Sequence, residues 1–124
     1  MRYLGIDFGP KNIGLAISEG FLAEPFGFIK VKAENLLLLE LKKICLVKKI
    51  DAVILGLPEG SLQKRVKDFA LRLKETLGVN IYLQDETLTT QESYNKMREA
   101  GIKIRKRKAH RHVFSACLIL QSYL

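Results

Sequence analysis

Three short stretches set acids or an imidazole beside apolar runs: GIDFG around Asp7, LQDETLT around Asp85 and Glu86, and HRHVFSA around His110 and His112. Asp7 stands where the core of a strand would take valine, and Gly9 follows it closely. Carboxylates brought together repel one another unless a cation lies among them, and hard divalent cations prefer oxygen ligands. In a basic chain, an acid cluster of that kind points to one reaction class, metal-assisted cleavage of a phosphodiester. The chemistry requires three stretches far apart in sequence to meet at one edge of the fold.

The surrounding patterns predict how they meet. Residues 2–7 and 13–18 read as two strands joined by a Gly/Pro/Asn turn. Residues 24–31 read as a third strand, with Pro25 at its start and Gly27 weakening it, as suits an edge. Leu37, Leu41, Ile44 and Lys48 form the stripe of a helix over 34–49, and the continuous apolar run of 51–58 reads as a strand buried on both faces. A helix over 61–77 lines up Val66, Phe69, Ala70, Leu73 and Leu77, with Ser61 as its expected cap and Gly78 past its end. Residues 79–85 read as another buried strand. Thr89 and Glu92 have capping-box spacing for a helix running to Gly101, and 112–124 reads as a last helix, apolar nearly all round.

The order βββαβαβαα gives a three-strand meander followed by crossovers, hence parallel strands 1, 4 and 5 in a mixed sheet with helices on its faces. Ligands in such sheets gather beyond the carboxyl ends of the parallel strands. Asp7 ends strand 1, Asp85 and Glu86 end the last strand, and His112 opens the final helix. One edge therefore collects all of them.

Composition sets the frame. The chain has 124 residues, 48% of them hydrophobic, enough for one domain over 1–124 with its own core. No apolar run is long enough to span a membrane, and no signal-peptide pattern precedes the first strand, so a cytoplasmic protein is expected. Cys45 and Cys117 sit among leucines and isoleucines and read as buried thiols. Net charge is +8, which argues for a polyanionic partner, nucleic acid above all. The charge is clustered: in KIRKRKAHR, residues 103–111, Lys103, Arg105, Lys106, Arg107, Lys108 and Arg111 occupy six of nine positions. Such a run repels itself and reads as a mobile arm for phosphate backbones. Lys11, in the first turn, is a further candidate phosphate contact.

Four segments in order resemble one family. GIDFGPKNIGLAIS is similar to an opening GIDxGxKRIGVAxSD, VILGLPEGS to a VVGLP loop, DETLTT to DERLST, and SACLILQSYL to a closing AAxxILQxYL. These are the motifs of the YqgF or RuvX family, named for pre-16S rRNA processing and for Holliday-junction resolution, in the RuvC-like branch of the ribonuclease H-like superfamily. The resemblance implies a ribonuclease H-like five-stranded sheet in order 3-2-1-4-5, strand 2 antiparallel, with helices on both faces. It implies metal-binding acids at Asp7, at Glu86 and at the position of His112.

The chain departs from the family pattern at Asn12 and Thr87, where arginine is usual, in a short loop after GLP, and at His112, where aspartate is usual. An imidazole among carboxylates favours Mn2+ over Mg2+. Asp85 reads as an alternative ligand, a supporting group or a helix cap. The expected activity is a nuclease acting on the 5′ end of the small-subunit rRNA precursor, as a monomer or weak homodimer. Holliday-junction resolution and a nucleic-acid-binding module without catalysis are the alternatives. The first turn also resembles the phosphate loop of actin-like ATPases, but those close two such domains around ATP and Pro10 replaces their threonine.

Overall fold

A computed structural model of the chain describes residues 1–86, 91–101 and 108–124, and side chains for all of these except 93, 94 and 108–110. Five strands form one sheet: β1 (Tyr3–Phe8), β2 (Asn12–Ser18), β3 (Glu24–Lys30), β4 (Ala52–Leu57) and β5 (Asn80–Asp85). Their order is β3-β2-β1-β4-β5. The β1/β2 and β2/β3 pairs are antiparallel, and β1/β4 and β4/β5 are parallel. The helices are α1 (Glu34–Val47), α2 (Leu62–Leu77), α3 (Gln91–Glu99) and α4 (Lys108–Tyr123).

Alternation along the central strands divides the core between two faces. Leu4, Ile6 and Phe8 of β1 point to one side, where they pack with Ile13, Val53 and Leu55 against α1 and α2. The residues between them point to α4, whose Ala116, Cys117, Ile119 and Leu120 are fully buried with Ala16, Ile54 and Met97 of α3. Arg2 ties the start of β1 to the α1–β4 turn. Its backbone N–H donates to Asp51 Oδ2 at 2.7 Å and its guanidinium to Lys48 O at 3.1 Å. Cys45 and Cys117 are buried free thiols, and burial pushes both above their usual range, to about 11 and about 12, so neither is a ready thiolate.

The fold differs from the sequence reading at three places. β5 is not a strand buried on both faces: it is an edge, with Tyr82 and Leu83 each 41% exposed, because no further strand follows it in the sheet. Ser61 occupies the cap position of α2 but has helical backbone angles and makes no side-chain capping bond. α4 begins at Lys108, so His112 lies one turn inside the helix. Lys108 and Arg111, expected in a mobile arm, are thus part of the helix. Thr89 of the expected capping box lies outside the described residues, as do Lys103, Arg105, Lys106 and Arg107.

Candidate active site

The site begins with a missing side chain. Asp7, near the carboxyl end of β1, is directly opposite Gly14 of β2. A Cβ at Gly14 would collide with the main-chain carbonyl of His112 and with the Val113 nitrogen. Glycine there lets α4 lie against the sheet backbone itself, a use of glycine that its cost in strand stability makes informative. Gly5, one pleat down the same face, does the same lower on the helix: its Cβ would stand 2.8 Å from Leu120 Cβ. At the far end Gln121 anchors α4, accepting from Ala23 N–H at 3.0 Å and donating to Phe21 O at 2.8 Å.

That close seating delivers His112 to Asp7. The imidazole Nδ1 lies 2.7 Å from Asp7 Oδ2. Asp7 is only 7% exposed, and His112 is partly covered. Gly9 leaves room for the ring, since a Cβ there would stand 2.8 Å from His112 Cε1. The same Cβ would collide first with the Asn12 carbonyl of the turn, so Gly9 serves both the turn and the imidazole.

Glu86 completes the cluster from the other side. It follows β5 and must reach across β4 to approach β1. Gly56 of β4 leaves the path open: a Cβ there would be 2.9 Å from Glu86 Oε1. The Glu86 carboxyl is pushed up to about 7, first by burial, then by its hydrogen bond with Asp7 and by the negative charges of Asp7 and Asp85. In its protonated form it donates to Asp7. Two carboxyl groups within hydrogen-bond reach, one holding a proton that it would lose in water, form a site short of positive charge.

Asp7, Glu86 and His112 are thus brought together, and Asp85, exposed at the end of β5, contributes charge to the same edge. Lys11 is exposed in the turn after β1, and Arg111 is exposed one residue before His112. Sequence reasoning missed Gly14 and Gly56. Their signal was present, glycine inside an otherwise apolar strand, but it does not say which element comes close. It also missed Arg65 of α2, whose guanidinium carbon lies 5.4 Å from the centroid of the Phe8 ring, next along β1 from Asp7.

The chain matches the model of a family described as RuvX, Holliday junction resolvase, over residues 1–124. It is 39% identical to a Clostridium botulinum protein named "Putative pre-16S rRNA nuclease", covering all of this chain and 96% of that one. A Clostridium acetobutylicum protein of the same name is 37% identical, with 100% and 98% covered. Among solved structures it is similar to Thermus thermophilus RuvC in complex with a Holliday junction, with TM-score 0.72, 17% identity, and 98% and 91% of the two chains covered. It is also similar to the fowlpox virus Holliday junction resolvase, with TM-score 0.62, 14% identity, and 99% and 97% covered. Those two likenesses show the fold. The match over the whole length and the identity to the clostridial proteins show the family: this chain belongs to RuvX, built on a RuvC-like, ribonuclease H-like sheet.

Proposed function

We propose that this protein is a divalent-metal-dependent nuclease that trims the 5′ end of the pre-16S rRNA in the cytoplasm, with Asp7, Glu86 and His112 as its reacting centre. The observation that carries the reading is the Asp7–Glu86 pair. The Glu86 carboxyl, raised to about 7 by burial and by its contact with Asp7, marks a place where a cation would be bound with the release of a proton. The name carried by relatives at 36–39% identity supports the RNA substrate.

The donor set fits a divalent cation by charge and by type. Two carboxylates offer oxygen, and one imidazole offers nitrogen, a mixture that suits Mn2+ better than Mg2+. Among the described residues no group of three or more His, Cys, Asp or Glu side chains lies where it could together hold a metal ion. Asp7 and Glu86, which already share a hydrogen bond, would be the principal holders. His112 has Nδ1 committed to Asp7, so any ligation by the ring falls to Nε2, while Nδ1 keeps Asp7 in its orientation. When bound, the cation supplies Lewis-acid charge at the phosphate and lowers the pKa of a water. Lys11 and Arg111 hold phosphates along the edge, and the basic run of Lys103, Arg105, Lys106, Arg107 and Lys108 adds affinity without reading bases.

RuvC-like architecture keeps a second substrate in play, the four-way DNA junction. The test uses both: a labelled RNA spanning the 5′ precursor end and a labelled four-way junction, each incubated with Mg2+, Mn2+ or chelator. The expected result is cleavage of the RNA, faster with Mn2+, and none with chelator. Cutting of the junction alone would move the substrate to DNA, and cleavage undiminished by chelator would end the metal-dependent reading.

A further inference from the structure

Helix α1 carries two apolar faces. Leu37, Leu41 and Cys45 are buried against the sheet. On the outer side Leu36, Leu39, Leu46 and Val47 are 55%, 61%, 69% and 66% exposed. Single exposed leucines are ordinary, but four on one face of one helix form a patch, and patches mark contact surfaces.

The neighbouring edge strand bends to extend that patch. In β3 the register with β2 shifts between Leu15 and Ala16, which pair with Gly27 and Pro25, so Phe26 has no Cα partner on β2. Gly27, at φ 156°, supplies a backbone conformation that side-chain-bearing residues rarely adopt. A bulge of this kind re-aims one side chain. Here it puts Phe26 beside α1, where a groove of about 520 Å3 is lined by Phe26, Leu39, Glu40, Lys43, Ile44, Val47 and Lys48. Lys48 Nζ lies 5.6 Å from the centroid of the Phe26 ring, a cation held against the groove wall.

Charge selects the occupant. Lys42, Lys43, Lys48 and Lys49 are all exposed at this end of α1, against Glu40 and, just past the turn, Asp51, and among the described residues none of these lysines is held in a salt bridge. We propose that the groove docks an acidic amphipathic segment of a partner protein. Its apolar side chains, at helical spacing, fill the space between Phe26, Leu39 and Val47, and its carboxylates meet the lysines. A second copy of this chain would bring the same lysines against one another across a two-fold axis, and like charges there oppose assembly. A nucleic-acid backbone could use the lysines but would set phosphates against the apolar walls. The groove is on the face of the sheet opposite the Asp7–His112 contact, so the proposal goes beyond the nuclease reading and stands or falls independently of it.

The test is a fluorescent peptide of about 14 residues with leucines at i, i+3, i+4 and i+7 and glutamates elsewhere, titrated into the intact protein. A scrambled peptide and one with lysines in place of the glutamates serve as controls. The acidic peptide is expected to bind and to shift backbone amide resonances of residues 26, 39 and 47. Affinity should fall about tenfold in Leu39→Glu/Val47→Glu and about tenfold between roughly 50 and 500 mM salt, as screened charge pairs require. Both positions are exposed, so the variant should keep its thermal midpoint and its nuclease rate. Equal binding of the controls, or an unchanged affinity in the variant, overturns the proposal. So does sedimentation showing that the wild type dimerises through this face and the variant does not. Shifts of the same amides by RNA alone overturn it as well.

Discussion

The two faces of the sheet are packed by different rules. Toward α1 and α2 the strands present Leu4, Ile6, Ile13 and Leu55, large side chains that hold the helices at ordinary distance and meet Val66, Phe69 and Leu73. Toward α4 they present Gly5, Gly14, Ala16 and Gly56 around the single large buried residue Ile54, and at Gly14 the helix backbone lies against the strand itself. The first face is a volume to be filled, and fillings of similar volume are interchangeable. The second seats one helix closely against the strands, and that seating brings His112 to Asp7 and leaves Glu86 its path. Stability is concentrated on one side and positioning on the other.

Gly14→Ala should break this contrast most visibly. Its new Cβ meets main chain, which cannot rotate away, so α4 must shift. Overpacking of this kind costs about 1–3 kcal/mol. A displacement near an ångström can cost on the order of 10²-fold in rate. Leu73→Ala, on the opposite face, should lose about 2–5 kcal/mol of stability yet cleave at the wild-type rate per folded molecule. Chemical denaturation and single-turnover cleavage of both variants check the pair. If Gly14→Ala keeps full activity, the close seating of α4 does not set the site.

The Glu86 carboxyl gives a smaller effect. Its folded-state pKa of about 7 lies above the ordinary 4.5, so the folded protein binds the extra proton between those values. The associated stability is present in acid and is lost as pH rises through about 7. Without metal, the wild type should melt a few degrees lower, relative to Glu86→Gln, at roughly pH 8 than at roughly pH 5. A divalent cation at the higher pH should restore the difference for the wild type alone. Melting curves across pH, with chelator and then with Mn2+, measure it. The smallest effect belongs to Ser61→Ala. A helix cap of this type is ordinarily worth about 0.5–2 kcal/mol, but Ser61 makes no capping bond. Urea midpoints should agree within error.

The sheet order and the edge at which the site assembles were legible because alternation, strand-end carboxylates and motif order all point the same way. Asp7 was readable as an acid at the end of an apolar strand, and its partners as the only other clustered acids and imidazoles near strand or helix ends. The bond from His112 Nδ1 to Asp7 was not readable, because it depends on how closely α4 sits, and that is decided by Gly14. The exposure of β5 was hidden because an apolar run has the same letters at an edge as in the middle of a sheet. The outer face of α1 was hidden too. Leu36 to Leu39 is an unbroken run, and only packing tells which leucines go inside. The start of α4 was placed four residues late because Lys108 to Arg111 looked like a continuation of the basic run.

The central claim is that Asp7, Glu86 and His112 form the reacting centre, and Asp7→Asn tests it most directly. The change keeps the shape of the side chain and its place opposite Gly14 while removing the charge. Cleavage of the labelled precursor RNA by Asp7→Asn, in saturating Mn2+ and at matched folded concentration, should fall by on the order of 10³-fold, with RNA affinity within about twofold of wild type because phosphate contacts lie elsewhere. Cleavage by this variant at the wild-type rate would contradict the account.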